Sequence, residues 1–318
     1  MNDPLHSSLP ATPNPYAPPL VLPALADSSS AILPPPARRP RVWPAFVVLP
    51  VAFVAVIIAQ VIGIVAVVAW YLAQGGTPQG LQAGLLDLVT RPALFIGLGL
   101  LSQLAIGGTA LIAGWLSPVP LAQRLGLLRP AVDASKIAVM TAGSLVPFTI
   151  GIALAYALAE IISPDPSVAA MYSKMTVGWA LPFVLFIALA PGFCEELLFR
   201  GYVQRRLLER WNLWAAVLVT SLLFAVFHIM PHAVVFAFPV GIWLGLMAAK
   251  SGSIWPGVIC HASINGLWNV WQLGVKFEVF SANPPLPLLV VLGTVGVGAF
   301  AASLWLMFRT NQPPHLTP

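Results

Sequence analysis

Apolar runs of about 20 residues, the length a helix needs to cross the hydrocarbon core of a bilayer, recur along this chain from residue 43 to residue 309. A water-soluble core has no use for that much apolar surface. The AVILMFWYC set supplies 58% of the 318 residues and charged residues only 8%, where a soluble domain carries about 25% charged residues. The length therefore reflects many spans in one membrane domain. The fold class expected is all-α, a polytopic transmembrane helix bundle with spans near 46–73, 93–116, 137–162, 178–199, 212–230, 233–249, 254–272 and 285–308.

Eight spans, an even number, put both termini on one side of the membrane. Arg38, Arg39, Arg41, Arg124, Arg129, Lys136, Arg200, Arg205, Arg206, Arg210, Lys250 and Arg309 then fall on the side of the N-terminus. Only Arg91, Lys174 and Lys276 fall opposite. Positive charge marks the cytoplasmic face, so both termini are expected to be cytoplasmic, in an integral protein of a bacterial cytoplasmic membrane. The net charge of +5 is accounted for by this topology and by anionic headgroups near Arg38, Arg39 and Arg41, so nucleic acid is set aside as a partner. Residues 1–42, with Pro18-Pro19, Pro34-Pro35-Pro36 and Ser28-Ser29-Ser30, read as a disordered Pro-rich cytoplasmic tail without the order of a cleavable signal. Residues 310–318 read as a second cytoplasmic tail. Cys194 and Cys260 both lie at membrane depth and do not suggest a disulfide framework.

Charges at span ends carry little information, whereas ionisable groups inside a span are expensive and mark function. They fall in three segments: Glu195-Glu196 to Arg200, Phe224 to His228, and His261 to Asn265. Positions four apart share a helix face. Glu196 and Arg200 are thus set to pair, His261 and Asn265 to project together, and Phe224 to wall off the His228 ring. Glu195 is turned about 100° from Glu196, which allows one carboxylate a structural role and the other a chemical one. From the turn near Arg210, Glu195 and His228 lie about 22 and about 27 Å along their helices, nearly level. A hairpin end carrying Arg205, Arg206, Glu209 and Arg210 would tolerate water if it projected into the cytoplasm.

A single intramembrane Glu or His is often only an interhelical hydrogen-bonding group. Two carboxylates, an arginine and two imidazoles in one bundle exceed what packing requires. His232, in a short loop after Pro231, reads as solvated, and His6 and His315 as tail residues. Cys194 and Cys260 read as small apolar residues rather than nucleophiles. Gly241 and Gly245 read as a close helix packing face. Pro191 and Gly192 read as a kink that opens room beside Glu195.

A glutamate with a neutral histidine activates water, and a second histidine with an asparagine stabilises the oxyanion formed at a carbonyl carbon. Amide hydrolysis fits these parts. Glu195, His228 and His261 equally make a zinc ligand set with water in the open position. Without a His-Glu-x-x-His helix, that site would be assembled from three helices.

Glu195-Glu196-x-x-x-Arg200-Gly201, Phe224-x-x-x-His228 and His261-x-x-x-Asn265 resemble, in type, order and spacing, the motifs of the CAAX-protease and bacteriocin-processing (CPBP, or Abi) intramembrane endopeptidases, which include the type II CAAX prenyl endopeptidases. The resemblance covers about residues 178–270. It implies that Glu195 is the base assisted by His228, that His261 and Asn265 stabilise the oxyanion, and that Glu196 and Arg200 form the supporting ion pair. Family members have been described both as glutamate-dependent and as metal-dependent, so zinc is the one cofactor to expect. The substrate expected is a membrane-associated protein or peptide, with a prenylated Cys-a-a-X tail and a leader peptide as the two candidate kinds. The other readings are a non-catalytic scaffold or immunity protein of the same fold, and a proton-coupled transporter, against which the lack of an evident inverted repeat counts.

Overall fold

The computed structural model describes residues 41–309, so the two expected tails, apart from Arg41 and Val42, lie outside the described residues, as do His6 and His315. Every element from Trp43 on is helical, and the described residues contain no strand. In chain order the helices are α1 (Trp43–Ala73), α2 (Leu81–Val89), α3 (Pro92–Trp115), α4 (Leu121–Arg124), α5 (Ala134–Gly143), α6 (Leu145–Ala159), α7 (Pro166–Ser173) and α8 (Val177–Glu196). A π-helix, Leu197–Gln204, continues α8. Then follow α9 (Arg205–Leu208), α10 (Leu213–Val226), α11 (Pro231–Ser251), α12 (Trp255–Lys276) and α13 (Leu286–Arg309).

Six stretches are both long and apolar enough to cross a membrane: α1, α3, α5 with α6, the run Val177–Leu208, α11 and α13. Each coincides with an expected span. The other two expected spans differ for physical reasons. At 14 residues, α10 reaches about 21 Å, short of the roughly 30 Å hydrocarbon core. It stops at Val226 because the chain turns through Ile229, at φ 65°, to present Pro231 as the first residue of α11. α12 is long enough at 22 residues, but His261, Asn265 and Asn269 lower its apolarity. The outward faces of α1 and α13 display Val, Ile and Leu along their whole length, a surface suited to lipid and not to water. The chain is an integral membrane protein.

The bundle is laid out in pairs, with α8 along α12, α10 along α11, α1 along α3, α6 along α11 and α5 along α13, while α3 also packs on α8. Gly241 and Gly245 do mark a close contact: a Cβ at Gly241 would lie 3.1 Å from the Phe224 ring, and one at Gly245 2.7 Å from Gln204 Oε1. Gly192, by contrast, opens no room beside Glu195. A Cβ there would meet Ala262 N and Cβ at 3.2 Å, so the missing side chain brings α8 against α12. The α9 hairpin end is exposed at Arg210 and anchored at its base. Arg206 is buried, with Nη1 donating to Arg41 O at 3.1 Å, and Glu209 forms an ion pair with buried Arg124 at 2.5 Å. Arg206 thus ties the hairpin to the chain just before α1, and Glu209 ties it to α4.

The π-helix is wholly buried, and Gly201 within it lies against the main chain of Leu125. A Cβ at Gly201 would sit 2.6 Å from Leu125 O and 3.2 Å from its carbonyl carbon. Backbone cannot give way as a side-chain tip does, so Gly201→Ala is expected to lower unfolding stability by about 1–3 kcal/mol. Denaturant titration followed by circular dichroism in detergent checks this. An unchanged midpoint contradicts the tight approach.

Candidate active site

Three helices converge where the sequence placed its ionisable residues, and α3 joins them. Glu196 and Arg200, one turn apart, form a fully buried ion pair at 2.7 Å. Arg200 Nη2 donates to Gly241 O at 3.1 Å, and the guanidinium lies 4.2 Å over the Phe224 ring. The same logic repeats one turn on, where Gln204 Nε2 donates to Gly245 O at 2.8 Å. Two glycine carbonyls on α11 thus receive two side chains from the π-helix, because no side chain on α11 stands between them.

The His261 imidazole lies between the two carboxylates and bonds to one of them. Its Nδ1 lies 3.2 Å from Glu196 Oε1 and its Nε2 lies 4.0 Å from Glu195 Oε2. A carboxylate only accepts, so Nδ1 carries the hydrogen and Nε2 faces Glu195. His261 therefore bonds to the ion pair while facing the other carboxylate, which the sequence did not indicate. A Cβ at Gly257, one turn before His261, would be 2.7 Å from Glu196 Oε2; the glycine admits the carboxylate to α12.

His228 lies in the turn just beyond α10, and its ring packs edge-on against Phe224, with centroids 4.9 Å apart. Its Nδ1 donates to Phe224 O at 2.9 Å. In the neutral ring this leaves Nε2 as an acceptor. Phe224 also packs edge-on against His261 at 5.9 Å, so one buried phenyl ring sets both imidazoles and the guanidinium. Ile229, next to His228, has positive φ, a strained conformation for a β-branched residue of the kind that gathers at functional sites.

Asn265 lies on α12 with His261, and its Nδ2 donates to Ile187 O on α8 at 3.1 Å. The polar stripe runs one turn further than expected. Asn269 Nδ2 donates to Asn265 O at 2.7 Å, and Asn269 Oδ1 accepts from the Tyr172 hydroxyl on α7. Burial pushes the Tyr172 phenol up to about 12, so it remains a donor. The other residue missed is Gln103 on α3, whose Nε2 donates to Glu195 Oε1 at 2.9 Å. The signals were present: Asn269 and Gln204 each continue a stride of four, and Gln103 is the one side-chain amide in the span 93–116.

Cys194 packs beside Gly107 and Cys260 is buried among apolar side chains. His232 is half-buried at the start of α11, and no hydrogen bond among the described residues joins it to the other site residues. Among the described residues, no three His, Cys, Asp or Glu side chains are close enough together to hold a metal ion. Glu195, His228 and His261 as placed do not form the zinc set, and no step below passes through a metal.

Residues 177–267 match the family model described as Type II CAAX prenyl endopeptidase Rce1-like. The chain is related to this family. The match takes in α8, the π-helix, α10, α11 and the first part of α12, and so spans every motif residue of this CAAX endopeptidase relative but not Gln103, Asn269 or Tyr172. Neither a curated protein nor a solved structure matches the chain.

Proposed function

We propose that this protein is an intramembrane endopeptidase that hydrolyses a peptide bond of a membrane-associated substrate with water activated by Glu195. The observation that carries the reading is the asymmetry of that carboxylate: Oε1 is held by Gln103, while buried Oε2 has no donor among the described residues and faces His261 Nε2. A carboxylate with one oxygen fixed and the other aimed at an imidazole is poised as a general base. Its partner Glu196, locked to Arg200, is not.

The step then balances as follows. Water bound at Glu195 Oε2 hydrogen-bonds to His228 Nε2, attacks the substrate carbonyl carbon and gives its proton to Glu195. The oxyanion is held from one face of α12 by the second amide hydrogen of Asn265 and by His261 Nε2, which must carry its own hydrogen in this step while Nδ1–H stays on Glu196. Collapse breaks the C–N bond, and the proton on Glu195 passes to the departing amine. Glu196 and Arg200 carry no proton in this scheme; they hold His261 in place. The excess of basic residues on the α9 side supports an approach from the cytoplasmic surface.

The family description directs attention first to prenylated C-terminal tails. Comparing the C-termini of membrane proteins in cells carrying the wild-type or the Glu195→Ala protein is expected to reveal substrates trimmed only by the wild type, and the sequence after each cut gives the substrate class. Identical C-terminal profiles, with both proteins at equal abundance, contradict the reading.

A further inference from the structure

Among the described residues, one side chain from outside the family-matched region hydrogen-bonds to Glu195, and that bond has a chemical consequence. Gln103 stands on α3 and is about nine-tenths buried. It reaches across to α8 and places Nε2 2.9 Å from Glu195 Oε1. The amide orientation follows from chemistry, because an ionised carboxylate only accepts and the nitrogen must therefore face it. Gln103 Oε1 is then turned away, buried and without a donor among the described residues. Packing alone does not call for this arrangement: an amide in a membrane span is costly unless satisfied, and here it is satisfied only on the side of Glu195.

We propose that Gln103 is a positioning residue for the hydrolytic step, fixing the Glu195 carboxylate through Oε1 so that Oε2 points to the attacking water. This rests on the assignment of Glu195 as the base. Glu195 lies just before the π-helix, and its other close polar neighbour is His261 Nε2 at 4.0 Å, beyond hydrogen-bond distance. Without Gln103 the side chain loses its one hydrogen bond and is free to turn about its terminal torsions. A misplacement of about 1 Å at a reacting group costs on the order of 10²-fold in rate. Because Gln103 touches Glu195 and not the substrate in this scheme, the loss falls on turnover rather than on binding.

Gln103→Met tests this, since methionine keeps the length and volume and removes the donor. The probe is an internally quenched peptide ending in a farnesylated cysteine, two aliphatic residues and a C-terminal residue, assayed in detergent micelles. The expected result is a kcat about 10- to 100-fold lower, an unchanged KM and an unfolding midpoint no lower than that of the wild type. A purely structural amide would lower the midpoint and leave the kcat of the folded protein intact, which overturns the proposal. A second arm needs no substrate: the infrared carboxylate band isolated as wild type minus Glu195→Gln should move in Gln103→Met, and an unmoved band also overturns it. The two assignments fail separately. Full turnover in Glu195→Gln removes the base, whereas full turnover in Gln103→Met with an inactive Glu195→Gln removes only the positioning role.

Discussion

Arg200→Ala is expected to destabilise the protein by about 3–5 kcal/mol, the cost of breaking a buried ion pair by removing one partner. Both side chains of the pair are fully buried, so the stranded Glu196 carboxylate would keep only the His261 N–H as a donor. The guanidinium also satisfies Gly241 O and lies over the Phe224 ring. Its removal therefore loosens the phenyl ring against which both imidazoles pack. Arg200→Lys is not expected to rescue, because one ammonium cannot meet Glu196 and Gly241 O at once with the flat fork of arginine. Glu196→Gln combined with Arg200→Met should recover part of the loss, since replacing both partners removes the stranded charge. Denaturant unfolding of the purified variants, followed by circular dichroism, measures this. A wild-type midpoint for Arg200→Ala contradicts the assignment of the pair as the brace of the site.

How much of this was legible in the sequence varied with the physics involved. The helices followed from apolar runs, which are a direct record of solvent. Where the expected spans and the structure differ, a local rule competed with hydropathy: Pro231 and the turn through Ile229 end α10 early, and the site residues themselves make α12 less apolar. Spacing by four predicted the Glu196–Arg200 pair and the contact of Phe224 with His228, because both lie within one stretch of chain. It did not predict that His261 bonds to Glu196 and faces Glu195, or that Gln103 caps Glu195, since those depend on how α3, α8 and α12 are placed relative to one another. The π-helix after Glu196 was also invisible, because its cause lies in what surrounds it: Gly201 against Leu125 and Gln204 against Gly245 are contacts across the bundle. Proline and glycine before the glutamates suggested an opening, whereas Gly192 serves a close approach to Ala262.

The central claim is that Glu195 is chemical while Glu196 is structural, and Glu195→Gln separates these most directly. The amide preserves the shape of the side chain and its capacity to bond with Gln103, but it cannot take a proton from water at neutral pH. Removing a general base costs on the order of 10²–10⁴-fold in rate, and this change spares the Glu196–Arg200 pair. The measurement is turnover of the farnesyl-cysteine peptide, or of a substrate identified by C-terminal proteomics, alongside the unfolding midpoint of the same preparation. The account predicts a folded protein with a near-wild-type midpoint and turnover reduced by that factor. A Glu195→Gln protein that cleaves at the wild-type rate would contradict it.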